Sequence, residues 1–293
     1  MKSIVQSIRE GRILISDGAW GTFLHQKGLK PGECPESWNL THRQDVLDIA
    51  KSYVEAGSDM IETNSFGGSR MKLAHYKLEH QAGEINRAAA AISREAAGGD
   101  RHVLGSIGPT GKFLMTGEVT EEDWADAFRE QAVALERGGA DAACIETMSA
   151  LEEALAAVRA VKESTGLEVI CTFTFEKTVG GTFKTMMGVS PTDMTKALVD
   201  AGADIIGSNC GNGMAQMVEI VREIRSAHPT IPILVHANAG KPVLKDGKTV
   251  FPETPEDMAR LVPDLLRAGV HIIGGCCGTT PNHIRAMRDA LLK

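Results

Sequence analysis

Ala201-Gly202-Ala203-Asp204-Ile205-Ile206-Gly207-Ser208-Asn209-Cys210-Gly211 reads as one joint of a repeating unit. A helix ends at Gly202, since glycine accepts the left-handed backbone that closes a helix. The apolar run after it reads as a strand of a buried parallel sheet. The joint recurs as Ala56-Gly57-Ser58-Asp59, Gly139-Ala140-Asp141 and Ala268-Gly269-Val270-His271. Each is a helix end feeding the next strand. The echo marks successive βα units, not an array of 20-to-50-residue repeats.

Outward from these joints, short apolar runs alternate with longer amphipathic segments along the whole chain. The strands expected are Ile13 to Asp17, Asp59 to Thr63, His102 to Ser106, Asp141 to Glu146, Glu168 to Phe175, Asp204 to Asn209, Ile233 to Ala237 and His271 to Gly275. Eight strands in 293 residues fit an α/β fold, a (β/α)8 TIM barrel spanning 1–293 as a single domain. An open doubly wound sheet is the alternative, but such sheets usually have fewer strands.

Helix punctuation agrees. Thr41-x-x-Gln44 and Thr120-x-x-Asp123 read as N-terminal caps, and Ser190-Pro191, Thr254-Pro255 and Thr280-Pro281 put a hydroxyl before a first-turn proline. Helices are expected to end at Gly57, Gly138, Gly202 and Gly269. Long connections run from Gly18 to Leu40, Ile107 to Val119 and Glu176 to Val189. All three follow strands, on the face where barrel enzymes carry their sites.

The bulk numbers narrow the function. A net charge of -7, with no basic run, gives no reason to expect nucleic acid or an anionic membrane as partner. No apolar stretch approaches the ~20 residues a membrane helix needs. Met1 to Glu10 mixes Lys2, Gln6, Arg9 and Glu10 into its apolar positions, unlike a signal peptide. Six cysteines without a secretory signal read as reduced thiols in the cytoplasm.

Three of those cysteines carry the chemistry. Cys276 and Cys277 end strand 8 in Gly274-Gly275-Cys276-Cys277-Gly278-Thr279-Thr280-Pro281, and Cys210 ends strand 6. Second-neighbour strands lie roughly 10 Å apart, so inward side chains can meet at one zinc ion through bonds of about 2.3 Å. The small strand-7 end, His236-Ala237-Asn238-Ala239-Gly240, leaves room between them. Adjacent strand residues face opposite ways, so Cys276 and Cys277 share an ion only if the chain leaves β geometry there. Gly274, Gly275 and Gly278 are expected to allow that.

Three thiolates leave one tetrahedral position open, as in a catalytic zinc site. The excess negative charge keeps a bound substrate sulfur nucleophilic while the metal holds it deprotonated. That suits alkyl transfer to sulfur better than hydrolysis. Buried structural cysteines or a redox pair are the bland alternative. Cys144 and Cys171 read as core, and Cys34 has no evident role.

Other polar strand ends complete a pocket: Asp17-Gly18-Ala19-Trp20-Gly21-Thr22, Glu62-Thr63-Asn64, Glu146-Thr147 and Asn238. A carboxylate there can hold an ammonium group, and the turn after Asp17 can receive a carboxylate. Glu62 reads equally as a rim salt bridge. His236 reads as a hydrogen-bonded core residue, a resting fourth ligand or a donor to the site. Met186, Met187, Met214 and Met217 read as packing, and Gly180-Gly181 matches no phosphate loop.

At these residues the chain resembles the homocysteine S-methyltransferase family. The motifs are Asp17-Gly18-Ala19-Trp20-Gly21-Thr22, Ile61-Glu62-Thr63-Asn64-Ser65-Phe66, Ile145-Glu146-Thr147, Asn209-Cys210, Asn238-Ala239-Gly240-Lys241-Pro242 and Gly274 to Pro281. The resemblance covers nearly the whole chain and implies zinc on Cys210, Cys276 and Cys277. It places the homocysteine amino group on Glu146 and its carboxylate on the Asp17 to Thr22 turn. The substrate site expected is Asp17, Gly18, Ala19, Thr22, Asn64 and Glu146, with no catalytic residue beyond the zinc-bound thiolate.

Within the family the chain looks most like the homocysteine-binding module of cobalamin-dependent methionine synthase. A betaine donor would need an aromatic cage; Trp38 matches one member, whereas Gly67, Thr147 and Met148 are not aromatic. In the large synthase, folate and corrinoid domains follow the module, and here the chain stops at Lys293. The resemblance therefore implies a methylcorrinoid donor, on a separate corrinoid protein or as free methylcobalamin. A sulfonium donor (S-methylmethionine or S-adenosylmethionine) is the alternative. A non-catalytic thiol- or zinc-binding module that docks on a corrinoid protein is another.

Overall fold

The apolar runs form strands β1 (Leu14–Ile15), β2 (Met60–Glu62), β3 (His102–Ile107), β4 (Ala142–Met148), β5 (Glu168–Phe173), β6 (Ile205–Asn209), β7 (Ile233–Ala237) and β8 (Ile272–Gly275). They come from a computed structural model that describes residues 2–245 and 248–292. All pairings in this sheet are parallel, in the order β1-β8-β7-β6-β5-β4-β3-β2. Helices α1 (Arg43–Ala56), α2 (Ala82–Ala97), α3 (Glu121–Gly138), α4 (Leu151–Ser164), α5 (Pro191–Asp200), α6 (Met214–Ala227), α7 (Pro255–Ala268) and α8 (Pro281–Leu291) each follow the strand of the same number. The expected (β/α)8 barrel is the fold.

The ring has a seam. Between β1 and β2 one backbone bond, Asp59 N–H to the Ile15 carbonyl at 2.7 Å, replaces a ladder. Two carboxylates finish the closure. Asp59 Oδ2 accepts from Ile15 N–H at 2.8 Å, and Asp17 Oδ2 accepts from Glu62 N–H at 2.9 Å.

Alternation within the strands sorts the core into two bodies. Leu14, Met60, Leu104, Ala142, Cys144, Ile170, Ile205, Leu234 and Ile272 fill the barrel, and Ile4 and Ile8 of the short helix Ile4–Arg9 join them. The Ile4 and Val5 amides donate to the Glu168 carboxylate at 2.7 and 3.0 Å, which latches this plug in place. Their neighbours in sequence, such as Ile61, Val169, Cys171 and Val235, face outward under the helices. Among the described residues, no helix is long and apolar enough to cross a membrane.

Most caps fall as expected: Thr120 and Thr254 form capping boxes, and Ser190 accepts from Asp193 N–H. Thr41 does not cap α1. It ends a separate short helix, Trp38–Thr41, and its hydroxyl bonds back to the Ser37 carbonyl. Helix α3 ends at Gly138 as expected, but the left-handed turn that closes it falls on Gly139, with φ 103°. A Cβ on Gly138 would overlap the Arg87 carbonyl, so that glycine serves the close α2–α3 approach instead.

Long excursions also follow β2 and β7, beyond those expected after β1, β3 and β5. The first winds through Arg70–Leu73 and two 3-10 turns, and the second holds the hairpin Val243–Lys245 with Lys248–Val250. The connection after β5 carries its own hairpin, Glu176–Lys177 with Phe183–Lys184. There Met186 and Met187 are exposed, whereas Met214 and Met217 pack inside as expected.

Candidate metal centre and substrate pocket

The end of β7 brackets the two cysteine-bearing strands. Cys210 N–H donates to the His236 carbonyl at 3.0 Å, Cys276 N–H to the Ala237 carbonyl at 2.7 Å, and Ala239 N–H to the Cys277 carbonyl at 3.0 Å. Strand geometry stops at Gly275, and Thr279 closes a turn on the Cys276 carbonyl through both its amide and its hydroxyl. Within this turn only Gly278 is left-handed, with φ 81°. Gly274 and Gly275 serve differently from what was expected: a Cβ on Gly274 would strike His236 and Ser16, and one on Gly275 would strike Thr279. Cys210 is itself left-handed, with φ 58°.

The three sulfurs converge. Cys210, Cys276 and Cys277 Sγ all lie within 4.8 Å of one another, and Cys210 and Cys277 Sγ are 3.9 Å apart. Tetrahedral bonds of about 2.3 Å to zinc place sulfurs roughly 3.8 Å apart, so the set fits that ion with little movement. Hydrogen bonds from the Cys276 and Cys277 thiols pull Cys210 down to about 3. The same bonds raise Cys276 well above the usual thiol value and Cys277 to about 11.

Beside the sulfurs lies a cavity of about 290 Å³. It is lined by the turn from Gly18 to Thr22, the stretch from Glu62 to Phe66, Glu36, Ser106, Glu146, Thr147 and His236, together with the three cysteines. No lysine or arginine is among these lining residues. The carboxyl groups in its wall are those of Glu36, Glu62 and Glu146.

Glu146 is held on both oxygens, by the Ser106 hydroxyl and by Asn209 Nδ2 at 3.2 Å. Burial lifts it to about 7 against the opposing Ser106 bond. Its strand is irregular here: the register to β5 shifts between Ile145 and Met148, and Thr147 is left-handed with φ 60°. Among the described residues, Glu62 forms no salt bridge with a lysine or arginine. Its Oε1 stands 3.5 Å from His236 Nδ1 and has no hydrogen-bond partner. Burial, then the charges of Glu146 and Asp17, push its pKa well up.

Asp17 lies behind the pocket wall rather than in it. Its fully buried carboxylate accepts from Trp20 Nε1 and Glu62 N–H, both at 2.9 Å, and burial raises it to about 7. Gly18, Ala19, Thr22 and Asn64 do line the cavity. The Ala19 amide donates to Thr279 Oγ1 at 3.1 Å and its carbonyl accepts from Tyr53 at 2.7 Å. Asn64 Nδ2 donates to the Pro35 carbonyl at 2.8 Å and to Asn39 Oδ1 at 3.1 Å.

His236 lies outside the sulfur cluster. Burial lowers it to about 4, so it is neutral, and its Nε2 has no partner. Cys144 and Cys171 are fully buried, and Cys34 donates its thiol to Glu36 at 3.4 Å. Trp38 stacks on His42, 4.2 Å between ring centroids, away from the cavity. Where a cage member was sought, Gly67 N–H instead donates to the buried Glu36 at 2.7 Å.

Two braces on Glu146, Ser106 and Asn209, lie outside the expected substrate site. Ser106 belongs to the polar end of β3, a position the strand-end rule covers, whereas nothing in Asn209's neighbourhood foretold its reach to Glu146.

A family model described as homocysteine S-methyltransferase matches residues 14–291. The chain is 35% identical over 301 residues to a methionine synthase of Mycobacterium leprae, covering 96% of this chain and 24% of that protein. A Mycobacterium tuberculosis methionine synthase matches at 35% over 299 residues, with 96% and 25% covered. The chain therefore spans about a quarter of the length of these relatives. The crystal structure of the homocysteine methyltransferase MmuM from Escherichia coli, metallated form, superposes with a TM-score of 0.80 at 22% identity, covering 97% of this chain and 99% of that one. Its oxidized form gives 0.79 at 21%, covering 98% and 99%. At that identity the likeness is one of fold.

Proposed function

The chain belongs to the homocysteine S-methyltransferase family, and on that premise we propose that it transfers a methyl group to the thiol of homocysteine, giving methionine. The observation that carries this reading is the juxtaposition of three converging thiols with an acidic cavity free of lysine and arginine. Such a site suits a molecule that brings a thiol and an ammonium group together.

Cys210, Cys276 and Cys277 would hold zinc, which supplies the positive charge that keeps a substrate thiol deprotonated at neutral pH. The chain's own residues do the positioning. β7 fixes the three cysteines through its backbone. Glu146, held by Ser106 and Asn209, presents a carboxylate to the substrate ammonium. The turn from Gly18 to Thr22 lines the cavity and would receive the substrate carboxylate. On this reading Gly18, Ala19, Thr22 and Asn64 shape the pocket, Asp17 sets the turn from behind, and residues 1–293 act as one homocysteine-binding barrel.

The donor we favour is a methylcorrinoid, free or carried on a corrinoid protein, because the chain shares 35% identity with two methionine synthases. Buried, acidic Glu36 in the cavity wall favours a second reading, a small sulfonium donor, since a carboxylate attracts a cation. The six free thiols, three of them needed as thiolates, suit a reducing compartment such as the cytoplasm.

The test is a donor screen on the zinc-loaded chain with homocysteine, reading methionine formation. Turnover with methylcobalamin supports the first reading and turnover with S-methylmethionine alone supports the second. Homocysteine binding without turnover from any donor would leave only a thiol-binding module that docks on a corrinoid protein.

A further inference from the structure

We propose that Glu253 is a positioning residue of the metal centre, a keystone that locks the Cys210 turn to the Cys276-Cys277 turn. The proposal rests on the reading that the three thiols hold zinc. It assigns their registration to a residue outside both the sulfur cluster and the cavity wall.

Cys210 needs holding. Its backbone is left-handed, with φ 58°, and Gly211 after it is left-handed too, with φ 72°. A non-glycine residue keeps that conformation only where its surroundings over-determine it. Upstream, Cys210 N–H donates to the His236 carbonyl at 3.0 Å, and the Thr174 hydroxyl to the Asn209 carbonyl at 2.9 Å. Downstream, Asn238 N–H donates to the Asn212 carbonyl at 2.9 Å. The chain then enters α6 through Gly213, an N-cap with no side chain to offer the helix.

Glu253, from the connection after β7, supplies what Gly213 lacks. Its Oε1 lies over Gly213 so closely that a Cβ there would overlap it. The Met214 amide draws the pKa of this carboxyl down against the rise that burial imposes. A carboxylate suits a helix N-terminus, where the first amides lack partners and the dipole is positive. The main chain of the same residue reaches the other turn. Glu253 N–H donates to the Ala239 carbonyl at 2.9 Å, and Ala239 N–H donates to the Cys277 carbonyl at 3.0 Å. The Glu253 carbonyl accepts from His283 Nε2 at 3.0 Å, and His283 Nδ1 accepts from the amide of Thr280, the cap of α8, at 3.1 Å.

One residue thus fixes both turns through its carboxylate, its amide and its carbonyl. Its other side-chain oxygen, Oε2, is buried without a hydrogen-bond partner, and native proteins rarely keep such an acceptor without a reason. Removing the side chain frees the start of α6, and with it the downstream hold on Cys210, while the main-chain bonds toward Cys277 remain. The defect is therefore selective. Cys210 loses its registration with an otherwise intact cysteine pair.

The experiment measures the zinc affinity of the full chain by competition with a chelator, together with the thiolate-to-metal absorption of the cobalt(II)-loaded protein. Glu253→Ala should hold zinc at least ~10-fold more weakly, the loss typical when a residue that orients a ligand is removed, and its cobalt absorption should lose intensity. Glu253→Gln keeps an oxygen at the same reach and should restore most of the affinity. Glu168→Ala, which removes the acceptor of two amides at the barrel floor, should keep wild-type affinity and spectrum despite its loss of stability.

Wild-type affinity and spectrum in Glu253→Ala would overturn the assignment. So would an equal loss of affinity in Glu168→Ala, which would make the effect one of general stability. If Glu253→Ala does not fold, Glu253→Asp decides, since it withdraws the carboxylate from Gly213 and leaves the main chain in place. Weakened zinc binding there supports the assignment and unchanged binding overturns it. A wild-type chain that takes up no zinc would instead sink the metal centre on which the assignment rests.

Discussion

Asn209, the residue before Cys210, donates from Nδ2 to Glu146 Oε2 at 3.2 Å and to Thr147 Oγ1 at 2.7 Å. Its Oδ1 accepts from Thr147 N–H at 2.7 Å and from the Thr172 hydroxyl at 2.8 Å. One fully buried amide thus ties the sulfur-bearing strand β6 to the carboxylate-bearing strand β4. Asn209→Ala would leave several of these groups unpaired, costing about 3 kcal/mol of stability. Chemical denaturation should show that loss, and the KM for homocysteine should rise roughly 10-fold because Glu146 loses a support. A variant with unchanged stability and KM would mean that the two strands are positioned independently.

Replacing Cys210, Cys276 or Cys277 with serine should bring metal content from about one zinc per chain to nearly none, since two thiolates and a hydroxyl make a much poorer donor set. Cys34→Ala and Cys171→Ala, outside the cluster, should keep their zinc. With Cys210 and Cys277 Sγ only 3.9 Å apart, a thiol oxidant should join cluster thiols, release zinc and stop turnover until reductant and zinc are returned. Elemental analysis reads each outcome, and full zinc in Cys276→Ser would remove the metal centre from the mechanism.

The barrel and the sulfur cluster were legible because their signals are local. Strand ends fell within two residues of expectation, and Cys276 beside Cys277 already implied that the chain must leave β geometry there. The polar bracing was not legible. Asn209 and Glu146 are 63 residues apart, and their hydrogen bond depends on a register shift and a left-handed Thr147 that no composition announces. The excursion after β2 escaped notice because Leu73 and Leu78 pack in a satellite cluster with Cys34, Ala82 and Ile85, giving a loop the apolar content of a helix.

The raised pKa of Glu146 has a signed consequence for stability. From an ordinary 4.5 it rises to about 7 on burial, so between those values the folded chain binds more protons than the unfolded one. Stability from this group therefore falls as pH rises from about 4.5 to about 7, by up to about 3 kcal/mol. His236, lowered to about 4, acts in the opposite sense between there and its ordinary 6.5. The clean readout is a difference: in zinc-free protein, Glu146→Gln should gain in melting temperature relative to wild type as pH goes from 5 to 8. A gap that stays constant would mean that Glu146 ionises normally.

Glu168→Ala should release the plug at the barrel floor. Two amides of the helix Ile4–Arg9 lose their acceptor, for a cost of about 1–3 kcal/mol. Hydrogen exchange should rise at the Ile4 and Val5 amides with little change at Cys210 or Cys276, because the plug lies at the opposite end of the strands. Exchange that rises equally at both ends would show that the barrel opens as one unit.

The seam between β1 and β2 bears on how the barrel responds to its ligand. The turn from Gly18 to Thr22 grows from one lip of that seam and Glu62 from the other, and across it run one backbone bond, the Ser58 hydroxyl on the Ser16 carbonyl and two carboxylate clasps. A substrate whose carboxylate rests on the first lip would press on the weakest joint of the ring. Homocysteine should therefore slow exchange of the Ile15 and Glu62 amides more than that of amides in the fully laddered β6 and β7.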